Sequence, residues 1–524
     1  MSGMSRRRFL GLAGGAGVVL TAGFVTPRLL RPAATTGQLL TSEVPLPQPF
    51  QVPLPLPPVL KPVSRDGGVD RYEIVQRAST AEILPGLRTP IWGYEGIFPG
   101  PTIESRSGRT TIVRHRNELP VPTVVHLHGG RTPPESDGYA TDLVLPADGR
   151  YLASAGHGHS GMADPDAVVT TGTREYTYPL RQKAAMLWYH DHRMDFTGPA
   201  VYRGLAGLHI VRDAEEDALP LPRGERELPL MITDRAFAED GSMRYPSLDP
   251  SLRIVPGVED AYAAGVLGDV LLVNGAPWPV AEVSATRYRL RFLNGSNARR
   301  YDLALTPPPP SGPSFTQIGS DQGLLDAPRA HEHLPIAPAE RYDTVVDFGA
   351  YPLGTEVTLV NRLGTGSTAQ VMRFRVTRRA NDDSHVPAKL SEVERLDRAQ
   401  ATVTREFAFR SGQFNGRHGW TIGGEAFTPT KVAAQPKLGD VEIWRFVADL
   451  HHPIHLHLVH FQVLSRGGKD PAPHDVGRKD TVDLQPGEAV EVIARFDGYR
   501  GRYMFHCHNA EHEDMGMMAT FKTV

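Results

Sequence analysis

The sequence predicts an all-β protein of about three β-sandwich domains, and three observations lead there. At 524 residues the chain is too long for one hydrophobic core, and roughly 150 residues per domain gives about three. The 52 Gly and 46 Pro exceed ordinary usage, as many turns between short strands require. From Tyr72 onward, short β-branched or alternating runs recur between Gly/Pro turns, which is the pattern of half-buried strands.

Three sets of runs can be followed along the chain. The first includes Thr110 to Arg114, Thr123 to Leu127 and Glu175 to Leu180. The second spans Pro229 to Phe348, with Val270 to Val273, Tyr288 to Leu293 and Thr344 to Phe348. The third, from Arg405 to the end, includes Val441 to Val447, Phe461 to Leu464, Val490 to Phe496 and Arg502 to His506. A polar stretch from Arg378 to Asp397 reads as the linker before the third set. Tyr151 to Thr173 and the Pro307 to Pro310 run read as surface loops.

The N-terminus reads as an address. Ser5-Arg6-Arg7-Arg8-Phe9-Leu10 resembles a twin-arginine export signal, followed by a mildly apolar run from Gly11 to Phe24. That run is shorter than the roughly 20 residues a membrane span needs. The expected destination is extracellular or the cell envelope, with no membrane span in the mature protein and cleavage near Ala33 and Ala34. Val44 to Val63 is Pro-rich and favours an extended strap. The expected boundaries are thus 1–35 for the signal, 36–68 for the strap, and 69–222, 223–385 and 386–524 for the three domains, the last including the linker. A net charge of -3 provides no basic face for nucleic acid or anionic lipid.

One cysteine, Cys507, excludes any internal disulfide and leaves a free thiol to be explained. Of 21 histidines, ten fall in four clusters: His126 and His128; His190 and His192; His452, His455 and His457; His506, His508 and His512. Neutral imidazole is the commonest metal ligand, and one thiolate among ten imidazoles points to copper. Alternate strand residues face opposite ways, so in His506-Cys507-His508 the two imidazoles share one face and the thiolate takes the other. The backbone between them then joins a mononuclear site to a cluster. A blue-copper centre needs two His, one Cys and a weak axial ligand, often Met. Cys507, His512 and Met517 supply three, and the second imidazole comes from His452, with adjacent His451 the alternative. Eight imidazoles remain, enough for three coppers taking two, three and three. The pairs His157/His159 and His331/His333 lack companion clusters and read as decoys.

HLHGG, WYHDH, HPIHLH and HCH with HEDMGMM resemble the four copper motifs of the three-domain multicopper oxidases. The likeness continues through DVLLVNGAPWPVAEV, YRLRFLNGSN, QIGSDQGLL and APAERYDTVVDF, covering nearly everything from Tyr72 to Val524. It is most similar to the branch of bacterial spore-coat laccase, bilirubin oxidase and phenoxazinone synthase. The resemblance implies three cupredoxin-like Greek-key β-sandwich domains and four copper ions, one type 1, one type 2 and two type 3. It assigns His452, Cys507, His512 and axial Met517 to type 1, His126 and His455 to type 2, and His128, His190, His192, His457, His506 and His508 to type 3. The middle domain is expected to hold no copper. Asp137 and Glu513 match the family's acidic residues that help move protons to reduced oxygen.

The activity expected is one-electron oxidation of a phenol or aminophenol, docked at an exposed His512, coupled to four-electron reduction of dioxygen to water. The rivals are bilirubin oxidase-type activity and a metallo-oxidase acting on Cu(I), Fe(II) or Mn(II). Against cuprous oxidation, the 12 Met form no tract outside Met515 to Met518. A copper-free scaffold is disfavoured by the full ligand set, and a copper nitrite reductase has no use for eight cluster imidazoles.

Overall fold

A computed structural model describes residues 37–149, 164–414 and 417–524. The export signal, most of the 151–173 insertion and the His157/His159 pair lie outside these residues. Three pairs of sheets follow one another along the chain. Burial alternates along strands such as Thr110–Asn117, as expected for sheets with one face packed inward.

In the first pair, Thr173–Tyr178, Thr110–Asn117, Val69–Ala81 and Ser64–Asp66 lie side by side, and Thr89–Tyr94 also pairs with Val69–Ala81. The facing sheet runs Gly100–Arg106, Ala206–Arg212, Ala185–Asp191 and Val125–His128. Between them lies a core of Tyr72, Ile74, Val113, Leu127, Tyr176 and Leu187. The middle pair has eight and five strands around a larger core that includes Trp278, Phe292, Phe315 and Phe374. The third pair stacks the sheet around Val441–Ala448 on a sheet ordered Val432–Ala434, Met518–Thr523, Gly501–Cys507, His452–Leu456 and Thr481–Leu484. Its core contains Trp444, Phe446, Phe505 and, among these apolar residues, Cys507 and Met517.

The Pro-rich segment runs extended along the surface. Phe50 and Leu54 amides donate to Trp278 and Val280 carbonyls, and Leu60 donates to Thr102, so the segment ties the middle sheets to the first pair. Residues 379–397 contain no regular element. The prolines 307–310 sit in the exposed turn after Tyr301–Thr306. Asp164, at the described end of the 151–173 insertion, is held by Arg502 at 2.8 and 2.9 Å.

Candidate metal centres

Strand register brings the four histidine clusters together. In the first pair of sheets His126 stands opposite His190, and His128 opposite Trp188. Side chains two apart on a strand share a face, so His126, His128 and His190 point the same way. In the third pair Ile454 stands opposite Cys507, and His455 opposite His506. The register puts Cys507 on the core side with Ile454, while His455 and His506 turn to the opposite side, toward the first pair of sheets. The alternation read from His506-Cys507-His508 is therefore realised.

The imidazoles are buried and interlocked. His126 stacks on His457 with ring centres 3.9 Å apart, and His128 on His455 at 3.6 Å. Their ligand-capable atoms converge in groups, each within 4.8 Å: His126, His128 and His455; His128, His190 and His508; His192, His457 and His506. In a fourth group, His452 Nδ1 and His512 Nδ1 are 3.1 Å apart and each lies 3.5 Å from Cys507 Sγ. His452, rather than His451, is the second imidazole beside the thiol. Met517 is buried in the same core. Its amide donates to the His512 carbonyl at 2.9 Å, and its carbonyl accepts from the Cys507 amide at 3.1 Å.

These donors suit copper. His128 Nδ1, His190 Nε2 and both ring nitrogens of His508 are buried without a hydrogen-bond partner, although buried polar atoms are nearly always paired. In His126 and His455 the outward nitrogen is engaged and the inward one is left free to ligate. His126 Nδ1 meets the Asp137 carbonyl at 2.6 Å, His455 Nδ1 meets the Asp480 carbonyl at 2.9 Å, and their Nε2 atoms face each other at 3.4 Å. Such second contacts fix the tautomer of a ligating histidine. Burial holds the His126, His128, His457 and His508 imidazoles well below their ordinary pKa, keeping them neutral and able to ligate. Burial also pushes the Cys507 thiol up, a cost that a thiophilic cation offsets. The Asn509 amide points at Sγ from 3.4 Å.

Both expected acidic residues touch the cluster. Asp137 Oδ2 accepts from His457 Nδ1 at 2.7 Å, and burial raises its pKa. Glu513 Oε2 lies 3.2 Å from His506 Nδ1, and its other oxygen accepts from Thr197 Oγ1 at 2.8 Å. Burial alone would raise Glu513, but His506 and His192 outweigh it and hold the carboxyl below its usual range.

One expectation needs correction. His512 is fully buried, not exposed. Its Nε2 reaches the Ala264 carbonyl at 3.1 Å, and Trp420 stacks on its ring at 3.7 Å while donating to the Ala263 carbonyl. The covering peptide belongs to the middle part of the chain, which no histidine motif could reveal. The sequence reading also missed Asp480. Its side chain accepts from His128 Nε2 at 3.0 Å and is gripped by both Arg341 Nη atoms at 2.7 and 2.5 Å. Arg341 lies in APAERYDTVVDF, where the family likeness was visible but the role was not. His331 and His333 bond Gln317 and Asp302 and join none of the convergent groups among the described residues.

The fold and donors together define a β-sandwich metalloprotein with one N2S centre and one all-imidazole centre. Comparison with known proteins gives the particular family. Multicopper oxidase family models match residues 76–151 and 397–524. The chain is 37% identical to a laccase from Bacillus subtilis, over 89% of this chain and 96% of that one. It is 36% identical to a bilirubin oxidase from Albifimbria verrucaria, over 90% of this chain and 81% of that one. The crystal structure of a laccase from Pediococcus acidilactici superimposes with a TM-score of 0.78 at 30% identity, covering 93% of this chain and 96% of that chain. The chain belongs to the multicopper oxidase family, and is a copper-dependent oxidoreductase that uses dioxygen.

Proposed function

We propose that the protein is a laccase-like oxidase that takes single electrons from phenols or aminophenols and passes them to dioxygen. The observation that carries this reading is Cys507, whose thiol meets His452 and His512 while its neighbours His506 and His508 belong to the imidazole cluster. His452, Cys507, His512 and Met517 would hold the type 1 copper, and His126 and His455 the type 2. His128, His190 and His508 would hold one type 3 ion, and His192, His457 and His506 the other. When bound, copper supplies one-electron acceptance at the sulfur site and four-electron reduction of dioxygen to water at the cluster.

The chain's own residues do the positioning. Asp137 and Glu513 orient His457 and His506 from the side away from the cluster, and the proton-handling role expected of them belongs to this proposal. Asp480 orients His128 so that Nδ1 faces inward. At the donor end, Ala264 and Trp420 exclude water from His512, so the donor docks over the partly exposed Ala264 rather than on the imidazole itself. We further propose export by the twin-arginine route: R6K/R7K should retain the protein in the cytoplasm, and unchanged export would refute the route.

The substrate class is tested by oxygen uptake with 2-aminophenol, 2,6-dimethoxyphenol, bilirubin, Cu(I), Fe(II) and Mn(II). The two phenolic donors should turn over fastest, without hydrogen peroxide release. Faster oxidation of a metal ion would reassign the donor and leave the copper centres in place.

A further inference from the structure

A cleft of about 600 Å³ opens beside the turn that follows His128. Most of its charged groups already have partners. Arg131 pairs with Asp497 at 2.5 Å, Lys183 with Glu215 at 2.5 Å, and Arg495 with Glu394 at 2.7 Å. Asp213 accepts the amides of Ala184 and Glu216. Two cations are left over: among the described residues, no carboxylate lies within ion-pairing distance of Arg181 or Arg478.

Arg478 is the more telling of the two. Its side chain is half-buried and its Nη2 is fully buried without an acceptor. A dehydrated guanidinium nitrogen calls for an anionic oxygen. His460 Nε2, lining the same cleft, is also buried and unpartnered. Its ring is hydrogen-bonded to the Gly129 backbone, and burial, then the neighbouring Arg131, depress its pKa and keep it neutral. A neutral ring that donates through Nδ1 presents Nε2 as an acceptor. The cleft thus offers guanidinium donors and one imidazole acceptor, a combination that a fully deprotonated anion cannot satisfy.

We propose that this cleft binds an oxyanion bearing its own hydroxyl, such as hydrogen phosphate or a hydroxycarboxylate. Its charged oxygens meet Arg478 and Arg181, and its O–H donates to His460 Nε2. The site is separate from the copper donors and does not depend on which reductant the enzyme uses. Arg478 directly precedes Lys479 and Asp480, and His460 is tied to Gly129, so bound anion braces both sides of His128.

The test is calorimetric titration of the copper-loaded protein at neutral pH with inorganic phosphate, citrate and sulfate at matched ionic strength. Phosphate, citrate or both should bind at one site per chain, about tenfold or more tighter than sulfate, which has no O–H to offer. Binding of phosphate alone assigns the site to phosphates, and of citrate alone to hydroxycarboxylates. R478M and R181A should each weaken binding about tenfold, whereas the exposed Arg71→Ala should not. Copper content and melting temperature without anion report whether each variant is folded, and R181A stands as the test if R478M is not. No saturable binding, equal affinity for sulfate, or binding unchanged in a folded arginine variant overturns the proposal.

Discussion

At the residue scale, the tightest constraints fall on groups that touch the imidazoles rather than on the imidazoles alone. Asp480 accepts from His128 and is gripped by Arg341. Replacing Arg341 by Met leaves a buried carboxylate without its counter-ion, which costs about 3–5 kcal/mol where a buried pair is broken. R341M should therefore lose copper from the cluster while Cys507 still binds its own ion. Copper analysis with electron paramagnetic resonance reads the two populations separately, and an intact cluster in R341M would count against this role. His209 is buried against Ser105, and burial depresses its pKa from 6.5 to about 3. Its unfolded form binds a proton that the folded form refuses, so its contribution to stability is full above pH 6.5. That contribution falls by about 1.4 kcal/mol per unit as the pH drops toward 3. H209Q, which keeps a partner for Ser105, should be less stable than the parent at pH 7 or equal to it, and should gain on it steadily below pH 6. Parallel melting curves at all pH values would refute this.

At the element scale, the short helix Ala510–Asp514 connects the thiol strand to the rest of the molecule. Asn509 caps it by accepting from the Glu511 and His512 amides. Glu511 accepts from Tyr245 at 2.9 Å, Asn297 at 2.9 Å and the Val266 amide at 3.1 Å, all from the middle part of the chain. Asp514 accepts from the Thr197 and Gly198 amides, holding the start of the helix Thr197–Arg203. N297L removes one of these partners from a buried carboxylate, at a cost of about 1–3 kcal/mol. It should lower the melting temperature and let the Ala264 peptide drift from His512, detected as a changed type 1 spectrum with the cluster signals intact. An unaltered spectrum would show that the Glu511 contacts do not position the donor end.

The elements also show how far sequence reasoning reaches. Period-two alternation located strands such as Thr110–Asn117 and the face occupied by Cys507, because one-sided burial writes itself into every second residue. Ligand histidines were legible for the same reason: their chemistry needs their side chains, at strand spacing. The cover over His512 was not, because Ala264 contributes a backbone carbonyl and leaves no trace in residue type. Trp420 looks, in sequence, like any core aromatic. Asp480 and Arg341 are far apart in the chain, and only the packing of middle sheets against third makes them partners.

At the scale of the whole molecule, the cluster is a joint. Four of its imidazoles come from residues 126–192 and four from residues 455–508, brought together by stacking of His126 on His457 and His128 on His455. Metal ions bound between the two parts stabilise the assembly by mass action, about 4 kcal/mol at a thousandfold excess over the dissociation constant. The copper-free protein should therefore melt at a lower temperature, with hydrogen exchange rising first along Val125–His128 and His452–Leu456. Equal melting temperatures with and without copper would mean that the joint is held by protein contacts alone.

In the proposed function Cys507 joins a one-electron entry site to a separate oxygen-reducing cluster. Copper analysis and electron paramagnetic resonance of C507S, measured beside the parent, address it most directly. The parent should carry four coppers per chain with a blue thiolate absorption. C507S should lose that absorption, the type 1 signal and donor turnover while the cluster retains three coppers. Blue colour or phenol turnover surviving in C507S would contradict the account, as would loss of all the copper.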